Sequence, residues 1–358
     1  MIPVTKPYIP DLKDYQECVK GIFERQWLTN NGPLLQEFEN SLKKYLDLEN
    51  LLFVSNGTIA LQLAIKALAL KGEIITTPFS YVATTSSIVW EGCEPVFVDI
   101  EESTLNIDPL KIEASITQKT SAILATHCFG NACDIDAIES IAKKHNLKVI
   151  YDAAHCFGTK YKGRSIFEYG DISTTSLHAT KLLHSTEGGL VFAKDRNLIN
   201  RMSYMRNFGH DGPERFNGVG INAKNSEFHA AMGLCVLEKI GAILEQRKQQ
   251  STIYSSLLKG MQIKFQKINK SCDFNYAYFP VLFESEKIAL DVKMQLELND
   301  IFPRRYFYPS LSQLNYVNRT EVLISDSCSA RILCLPLFHD LSSEQQHMIV
   351  DTIKKSIV

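Results

Sequence analysis

Short apolar segments alternate with helix-like patterns between about residue 50 and residue 195. The apolar segments are continuous rather than alternating, which is typical of strands that are covered on both faces of a sheet. This rhythm predicts an α/β fold with a mostly parallel central sheet and helices on both faces. Strands are predicted at 51–55, 73–78, 95–100, 121–127, 148–154, 171–176 and 189–194, and helices at 59–70, 83–92 and 135–146.

The pattern changes after residue 225. A long helix is predicted to begin near Ser226, because apolar residues from Ala230 to Leu244 recur on one helical face. Its polar continuation, EQRKQQ, is interpreted as the passage out of a large domain. Strand-like segments at 275–283 and 330–337 follow, and then a closing helix with Ser342 and Gln345 in capping-box spacing. We therefore predict a large domain at 1–244 and a smaller α+β domain at 245–358.

The composition narrows the class of protein. The chain has 358 residues, of which 45% are hydrophobic and 22% charged, so it can bury a core without disulfides or metal. A net charge of -2 gives no electrostatic reason to expect nucleic acid or an anionic membrane as a partner. The first residues do not have the pattern of a signal peptide, and we expect a cytoplasmic protein.

The cysteines do not indicate a metal or redox site. There are nine of them, and no two are spaced as Cys-x-x-Cys. Several, such as Cys156 and Cys334, lie in apolar segments, where a thiol behaves as a small buried hydrophobe. No metal ion is therefore expected in the site.

Polar residues directly after the predicted strands are candidates for chemistry, because ligands of open parallel sheets bind at the carboxyl ends of strands. The segment SNGTIAL is a strand end, a small-residue turn and a helix start. Gly57 lets the backbone approach a ligand, and Thr58 adds a hydroxyl where free amides suit a phosphate. An ordinary helix entry explains the same residues equally well.

A carboxylate stands at the end of the very apolar strand in KVIYDAAH. Asp152 is costly to bury there unless it meets a cation, and a protonated pyridine nitrogen would be such a partner. His155 follows three residues later and could reach the same ligand. The alternatives are a helix cap for Asp152 and a structural histidine for His155.

A lysine lies between apolar strands in the segment DISTTSLHATKLLHSTEGGLVF. Lys181 follows the strand end at Ser176 by five residues, and its amine can form an imine with an aldehyde cofactor. An exposed lysine on a loop is the alternative. An anion-binding helix start, a carboxylate and a lysine together match the phosphate, ring nitrogen and aldehyde of pyridoxal 5'-phosphate. Tyr81, after the strand at 73–78, could stack on a flat ring.

The order of these motifs resembles the DegT/StrS-type nucleotide-sugar aminotransferases, which have the aspartate-aminotransferase-like fold. The similarity runs through the whole chain, from RQWLTNNGPLLQEFE to PRRYFYPSL and ILCLPLFHDLS. It is greatest to members that aminate carbon 4 of dTDP-4-keto-6-deoxyglucose. The resemblance implies an L-glutamate-dependent transaminase, with O-antigen or another surface polysaccharide (as in lipopolysaccharide) as the usual destination of the product.

The resemblance also assigns roles by matching position. Lys181 carries the cofactor as a Schiff base, Asp152 pairs with the ring nitrogen, His155 contacts the ring hydroxyl or face, and Tyr81 stacks on the ring. The phosphate contacts are Gly57, Thr58 and Ser176, together with Asn222 from the neighbouring subunit of a homodimer with shared active sites. Contacts to the nucleotide sugar are expected from Thr29, Lys224 and Arg305. Asn225 departs from the family pattern, in which an apolar residue is more usual.

Other activities stay open at the level of sequence. Amination at carbon 3 differs only in how the sugar lies over the cofactor. A non-catalytic sensor with the same fold would usually carry a DNA-binding module, and no basic helix-turn-helix precedes residue 50. The related dehydratases are disfavoured, because they need a histidine in place of Lys181 or a cysteine cluster for iron, and the cysteines of this chain are scattered.

Overall fold

The computed structural model describes residues 1–357 and has an α/β architecture. The helices are α1 (Leu12–Arg25), α2 (Pro33–Leu46), α3 (Gly57–Ala67), α4 (Val82–Trp90), α5 (Pro109–Ile112), α6 (Ile135–His145), α7 (Arg196–Arg206), α8 (Glu227–Leu257), α9 (Glu286–Leu298), α10 (Leu323–Arg331) and α11 (Ser343–Ser356). The strands are β1 (Ile2–Pro3), β2 (Leu51–Val54), β3 (Glu73–Thr76), β4 (Glu94–Phe97), β5 (Thr120–Thr126), β6 (Lys148–Asp152), β7 (Lys160–Tyr161), β8 (Arg164–Ser165), β9 (Ile172–Ser176), β10 (Gly189–Phe192), β11 (Lys264–Phe265), β12 (Cys272–Asp273), β13 (Phe279–Leu282), β14 (Ile301–Phe302) and β15 (Ile332–Leu335).

The central sheet has seven strands in the order β2-β10-β9-β6-β5-β3-β4. Every strand predicted between residues 50 and 195 is present in it, and the prediction of an α/β fold is confirmed. The pairs among β9, β6, β5, β3 and β4 are parallel. Strand β10 is antiparallel to both of its neighbours, β2 and β9. The ends of β3, β5, β6 and β9 therefore meet at one edge of the sheet.

Both faces of the sheet are buried, which explains the continuous apolar segments. Successive residues of a strand point to opposite faces. In β2, Leu51 and Phe53 belong to one hydrophobic cluster, while Leu52 and Val54 belong to the other. Helix α2 packs on the first face through Phe38, and α3 packs on the second. Because neither face meets water, no polar alternation remains in the sequence.

Helix α8 runs without interruption for 31 residues, capped by the Ser226 side chain at its first turn. The segment EQRKQQ, interpreted from its polarity as a passage between domains, lies inside this helix. Arg247 and Gln250 are buried there because they find backbone partners. Arg247 donates to the carbonyl of Ala277 at 2.9 Å, and Gln250 donates to the carbonyl of Phe338 at 2.8 Å.

The residues after α8 form a smaller unit with its own core. Strands β11, β13 and β15 make a three-stranded antiparallel sheet, packed on α9 and α11. The predicted capping box of Ser342 and Gln345 is present at the start of α11. The first residues of the chain also lie here, because Ile2 and Pro3 pair with β14. The division at residue 244 stays a prediction, and it coincides with the middle of a continuous helix.

Candidate active site

Seven of the residues singled out from sequence line one cavity at the edge where the parallel strands end. The cavity has a volume of about 300 Å³. Its walls come from the loops after β3 and β6, the start of α3, the segment between β9 and β10, and the C-terminal unit. The seven are Gly57, Thr58, Tyr81, Asp152, His155, Ser176 and Lys181.

The start of α3 and the end of β9 form a tight cradle in one wall of the cavity. Asn56 caps α3, and its side chain accepts the N–H of Ile59. The N–H groups of Gly57 and Thr58 precede that bond, in the turn where amides lack partners within the helix. A Cβ at position 57 would lie 2.9 Å from the Cβ of Ser176, so only glycine allows this approach. The cradle suits an anion.

Asp152 ends β6 and is almost fully buried. Its Oδ2 accepts a hydrogen bond from the Thr84 hydroxyl at 2.6 Å, and its Oδ1 accepts the N–H of Ala154 at 3.1 Å. Burial raises the pKa of the carboxyl, while the two hydrogen bonds and the charge of Lys181 oppose the increase. Cationic donors are the partners that lower such a cost. Asp152 therefore favours a positively charged group in the cavity.

Lys181 lies in the segment between β9 and β10 and reaches into the cavity, half-buried. Its Nζ is 3.5 Å from the hydroxyl of Tyr278. Burial lowers the pKa of this amine to about 8, although the nearby Asp152 carboxylate acts in the opposite direction. A lysine with a depressed pKa has much more neutral amine at neutral pH than an ordinary one, and the neutral amine is the nucleophile.

His155 has a fixed tautomer. Its Nδ1 accepts the backbone N–H of Phe129 at 3.2 Å, so a neutral ring carries its proton on Nε2. Burial, with the charge of Lys181 adding to it, lowers the pKa of His155 well below its ordinary value, and the ring stays neutral. The imidazole is nearly parallel to Phe307, with ring centroids 5.7 Å apart. His155 thus presents one N–H donor from an aromatic wall.

Tyr81 is the exposed member of the group. It precedes α4 as the residue at its N-cap position, and 60% of its surface is accessible. An accessible phenol ring at the rim of the cavity is free to stack on a flat ligand.

These residues fit pyridoxal 5'-phosphate. The cradle of α3 offers amides and the Ser176 hydroxyl to a phosphate, and the glycine at position 57 leaves the space that a side chain would fill. Asp152 is a buried carboxylate that favours a cationic partner, and Lys181 is an amine with a depressed pKa. The donors of the cavity therefore match the anionic, cationic and electrophilic parts of that cofactor.

Asn222 and two residues predicted to bind the nucleotide sugar lie together outside the cavity walls. The Thr29 hydroxyl donates to the carbonyl of Asn225 at 3.4 Å, and Lys224 donates to Asn207 at 2.9 Å. Asn222 is exposed on the same segment. The Asn225 side chain donates to the carbonyl of Val54 at 3.1 Å, so its contacts are within the chain.

Arg305 lies elsewhere, in the C-terminal unit. It donates to Glu286 at 2.6 Å, and its guanidinium lies 3.5 Å from the ring centroid of Tyr308. It lines a neighbouring cavity that shares Ser80, Tyr81, Tyr306 and Phe307 with the first one. The shared aromatic wall places Arg305 next to the cofactor cavity without making it part of that cavity.

Several residues of the site were not found from sequence. Tyr278 and Phe307 come from the C-terminal unit, more than 90 residues after Lys181, and no local pattern marks them. Thr84 contacts Asp152, yet in the segment SYVATT it looks like an ordinary residue of a helix start. Ser80 bonds to Thr84 but lies in the loop before α4, so helical spacing in the sequence does not mark the pair either.

Other kinds of site receive no support from the residues that the structure describes. Among them, no group of three or more histidine, cysteine, aspartate or glutamate side chains is arranged to hold a metal ion. Within positions 1–357, no helix combines the length and the apolar character needed to cross a bilayer.

The chain is similar to known aminotransferases. Residues 11–354 match the model of the DegT/DnrJ/EryC1/StrS aminotransferase family. A dTDP-4-amino-4,6-dideoxy-D-glucose transaminase of Shigella dysenteriae is 41% identical, over 98% of both chains. A GDP-perosamine synthase of Vibrio cholerae is 31% identical, over 99% of this chain and 98% of the relative.

Among solved structures, DesI in the presence of its TDP-sugar product superimposes with a TM-score of 0.94. It is 30% identical, and the match covers 99% of this chain and 92% of that one. The similarity therefore extends over both the sheet and the C-terminal unit.

Proposed function

Because this chain belongs to the DegT/DnrJ/EryC1/StrS aminotransferase family and is a pyridoxal-phosphate-dependent aminotransferase, we propose that it aminates carbon 4 of a nucleotide-linked 4-keto-6-deoxy sugar. The proposed acceptor is dTDP-4-keto-6-deoxyglucose and the product dTDP-4-amino-4,6-dideoxyglucose. The name of the Shigella dysenteriae relative supports this substrate. The observation that carries the proposal is the meeting of Lys181, Asp152 and the Gly57 cradle in one cavity.

The proposed donor is L-glutamate, and the reaction has two halves. When bound, pyridoxal phosphate supplies an aldehyde and an electron-withdrawing ring that carries the amino group from donor to acceptor. Lys181 moves the proton at the reacting carbon in each half, because an amine with a pKa of about 8 can both accept and return a proton near neutral pH. Oxidation of glutamate to the 2-oxo acid balances reductive amination of the sugar.

The other residues of the cavity hold the cofactor in the geometry that this proton transfer requires. Asp152 would keep a proton on the ring nitrogen, and His155 would contact the ring hydroxyl through its Nε2–H or lie against the face of the ring. The amides of Gly57 and Thr58 and the hydroxyl of Ser176 bind the phosphate. Tyr81 would stack on the ring. Fixing the ring at both ends leaves Lys181 free to move.

A homodimer with shared sites is part of the proposal. The segment 207–222 exposes apolar side chains next to Asn222, as expected of a surface that a second copy covers. The exposed apolar residues are Phe208, Phe216, Val219 and Ile221. In this dimer, Asn222 of one copy would contact the cofactor phosphate bound by the other copy. Surface polysaccharide such as O-antigen is the proposed destination of the product.

The decisive experiment is incubation with L-glutamate and a panel of nucleotide sugars, followed by NMR of the product. The panel contains dTDP-4-keto-6-deoxyglucose, its GDP-linked 4-keto counterpart and a 3-keto isomer, and Lys181→Ala serves as the inactive control. New nitrogen at carbon 4 of the dTDP sugar supports the proposal. Amination at carbon 3, preference for the GDP sugar, or full activity of Lys181→Ala would each overturn the corresponding part.

Shared sites have a separate test. Lys181→Ala and Asn222→Ala dimers should each be nearly inactive, but a mixture should recover up to about one quarter of normal activity, because half of the subunit pairs form one intact site. No recovery, with subunit exchange shown by mass spectrometry, would refute the sharing.

A further inference from the structure

Three buried hydroxyl groups form a chain that ends on Asp152. The Thr84 hydroxyl lies 2.6 Å from the Asp152 carboxylate, Ser80 lies 2.7 Å from Thr84, and Thr126 lies 2.9 Å from Ser80. All three side chains are almost fully buried. They come from different elements, because Ser80 lies in the loop after β3, Thr84 in α4 and Thr126 at the end of β5.

The direction of these hydrogen bonds follows from counting protons. Each hydroxyl has one hydrogen to donate. An ionised Asp152 can only accept, so Thr84 donates to it and must accept from Ser80. The hydrogen of Ser80 is then used, and Ser80 accepts from Thr126. While Asp152 is ionised, the three hydroxyl dipoles therefore all point toward its negative charge.

If Asp152 were protonated, the three hydrogen bonds would no longer have to run toward it. A protonated carboxyl could donate to Thr84, and the chain could then run in the opposite direction. Aligned bonds of this kind polarise one another, so the second and third hydroxyls add to the effect of the first. The backbone holds the end of the chain in register, because Thr126 and Asp152 are paired residues of β5 and β6.

We propose that Thr84, Ser80 and Thr126 form a positioning chain that keeps Asp152 ionised and aimed at the ring nitrogen of the cofactor. The three residues do not react with the substrate and act only through Asp152. The inference rests on the proposed function, since it assumes pyridoxal phosphate in the cavity.

The groups around Asp152 determine how much the hydroxyls contribute to the pKa of its carboxyl. Burial raises the pKa of the carboxyl, and the Thr84 hydrogen bond is the largest of the effects that lower it, ahead of the Ala154 amide and Lys181. Of the other titratable groups nearby, His155 stays neutral and the buried Cys156 thiol has a raised pKa. Neither gives Asp152 a positive neighbour.

The test uses variants that change a hydroxyl and little else. Thr84→Val removes the donor and keeps the shape, Thr84→Ser restores it, and Ser80→Ala removes the second member of the chain. Thr85→Val is the matched control, because Thr85 lies next to Thr84 in α4, is fully buried and has a hydroxyl with no hydrogen-bond partner among residues 1–357. Each holoenzyme is titrated with pH while the absorbance of the bound cofactor is followed, and turnover and cofactor affinity are measured.

Thr84→Val should shift the midpoint of the absorbance titration to higher pH. Without the Thr84 donor, the Asp152 carboxylate is more basic and holds a larger share of the proton that lies between it and the ring nitrogen. The ring is then less positive and withdraws less electron density from the nitrogen that Lys181 contributes, so that nitrogen keeps its own proton to a higher pH. Turnover and cofactor affinity should each fall about tenfold, as expected for loss of a hydrogen bond to a charged group. Ser80→Ala should shift the midpoint in the same direction, and turnover and cofactor affinity should each fall about threefold.

The control variants separate positioning from structure. Thr84→Ser should return the midpoint close to that of the native protein, and Thr85→Val should leave it unchanged. An unchanged midpoint in Thr84→Val, or an equal shift in Thr85→Val, overturns the inference. Failure of the proposed function is recognised differently, because the native protein itself would then not bind pyridoxal phosphate or transfer nitrogen.

Discussion

The depressed pKa of Lys181 predicts how the rate of covalent cofactor attachment depends on pH. Burial lowers the pKa of this amine from 10.5 to about 8, and the neutral amine is the form that attacks an aldehyde. The perturbation is pH itself, applied to protein from which the cofactor has been removed. A second perturbation is Asp152→Asn, which removes a negative charge that raises the pKa of Lys181.

The size of the effect follows from the two pKa values. At pH 7, an amine with a pKa of about 8 is roughly 9% neutral, while an ordinary lysine is about 0.03% neutral. The environment of Lys181 thus increases the reactive fraction about 300-fold at that pH. The rate of attachment should rise about tenfold per pH unit below the midpoint and become constant above it.

Stopped-flow absorbance after mixing the protein with saturating pyridoxal phosphate measures this rate between pH 6.5 and about 10. This pH range lies above the pKa of the second ionisation of the phosphate. The native protein should have its midpoint near 8, and Asp152→Asn should have it at a lower pH. Lys181→Ala is the control and should show no covalent phase. A rate that still increases through pH 10, or an upward shift in Asp152→Asn, would refute the argument.

Three further predictions concern the structure around the site. Arg206→Met should lower the free energy of unfolding by about 3–5 kcal/mol in urea titrations, because it leaves the Glu39 carboxylate, 2.6 Å from Arg206 Nη1, buried without its cation. Gly57→Ala should weaken pyridoxal phosphate binding about tenfold or more in equilibrium titrations, since the new Cβ would lie 2.9 Å from Ser176 Cβ. His127 has a pKa of about 3 when folded and 6.5 when unfolded, so its contribution to stability is complete above pH 6.5 and is lost as the pH falls toward 3. His127→Gln should therefore make the loss of unfolding free energy between pH 7 and pH 5 smaller by about 2 kcal/mol.

Each of these has a control within the chain. The double variant Glu39→Gln/Arg206→Met should be less destabilised than Arg206→Met, and equal values would contradict the argument from an uncompensated charge. A Cβ added at Gly241 would meet no atom of residues 1–357 within 4 Å beyond its own stretch of helix, so Gly241→Ala should leave cofactor binding unchanged. An equal loss of unfolding free energy on acidification in native protein and His127→Gln would contradict the third prediction.

The positions of the sheet strands could be predicted from sequence because burial on both faces produces continuous apolar segments. The direction of a strand leaves no such signal. The segment at β10 is as apolar as its parallel neighbours, yet it runs antiparallel to β2 and β9. The direction of β10 depends on how the chain turns between Lys181 and the start of that strand at Gly189.

The residues of the cavity could be predicted where they directly follow a strand, as Asp152 and Ser176 do. Tyr278 and Phe307 could not, because they reach the cavity from the C-terminal unit and local pattern does not report distant contacts. Hydropathy also does not show that Arg247 and Gln250, in the polar segment EQRKQQ, are buried and donate to backbone carbonyls.

The unbroken course of α8 limits how the two parts of the molecule can move. The helix is about 46 Å long, and it carries the chain from the sheet into the C-terminal unit. A hinge within it would require broken backbone hydrogen bonds. Large-scale closure of one part over the other is therefore disfavoured, and smaller motions at the rim of the cavity, where the ring of Tyr81 is accessible, are favoured instead. The part of the cavity that this chain supplies is therefore in place once the chain has folded, before any substrate arrives.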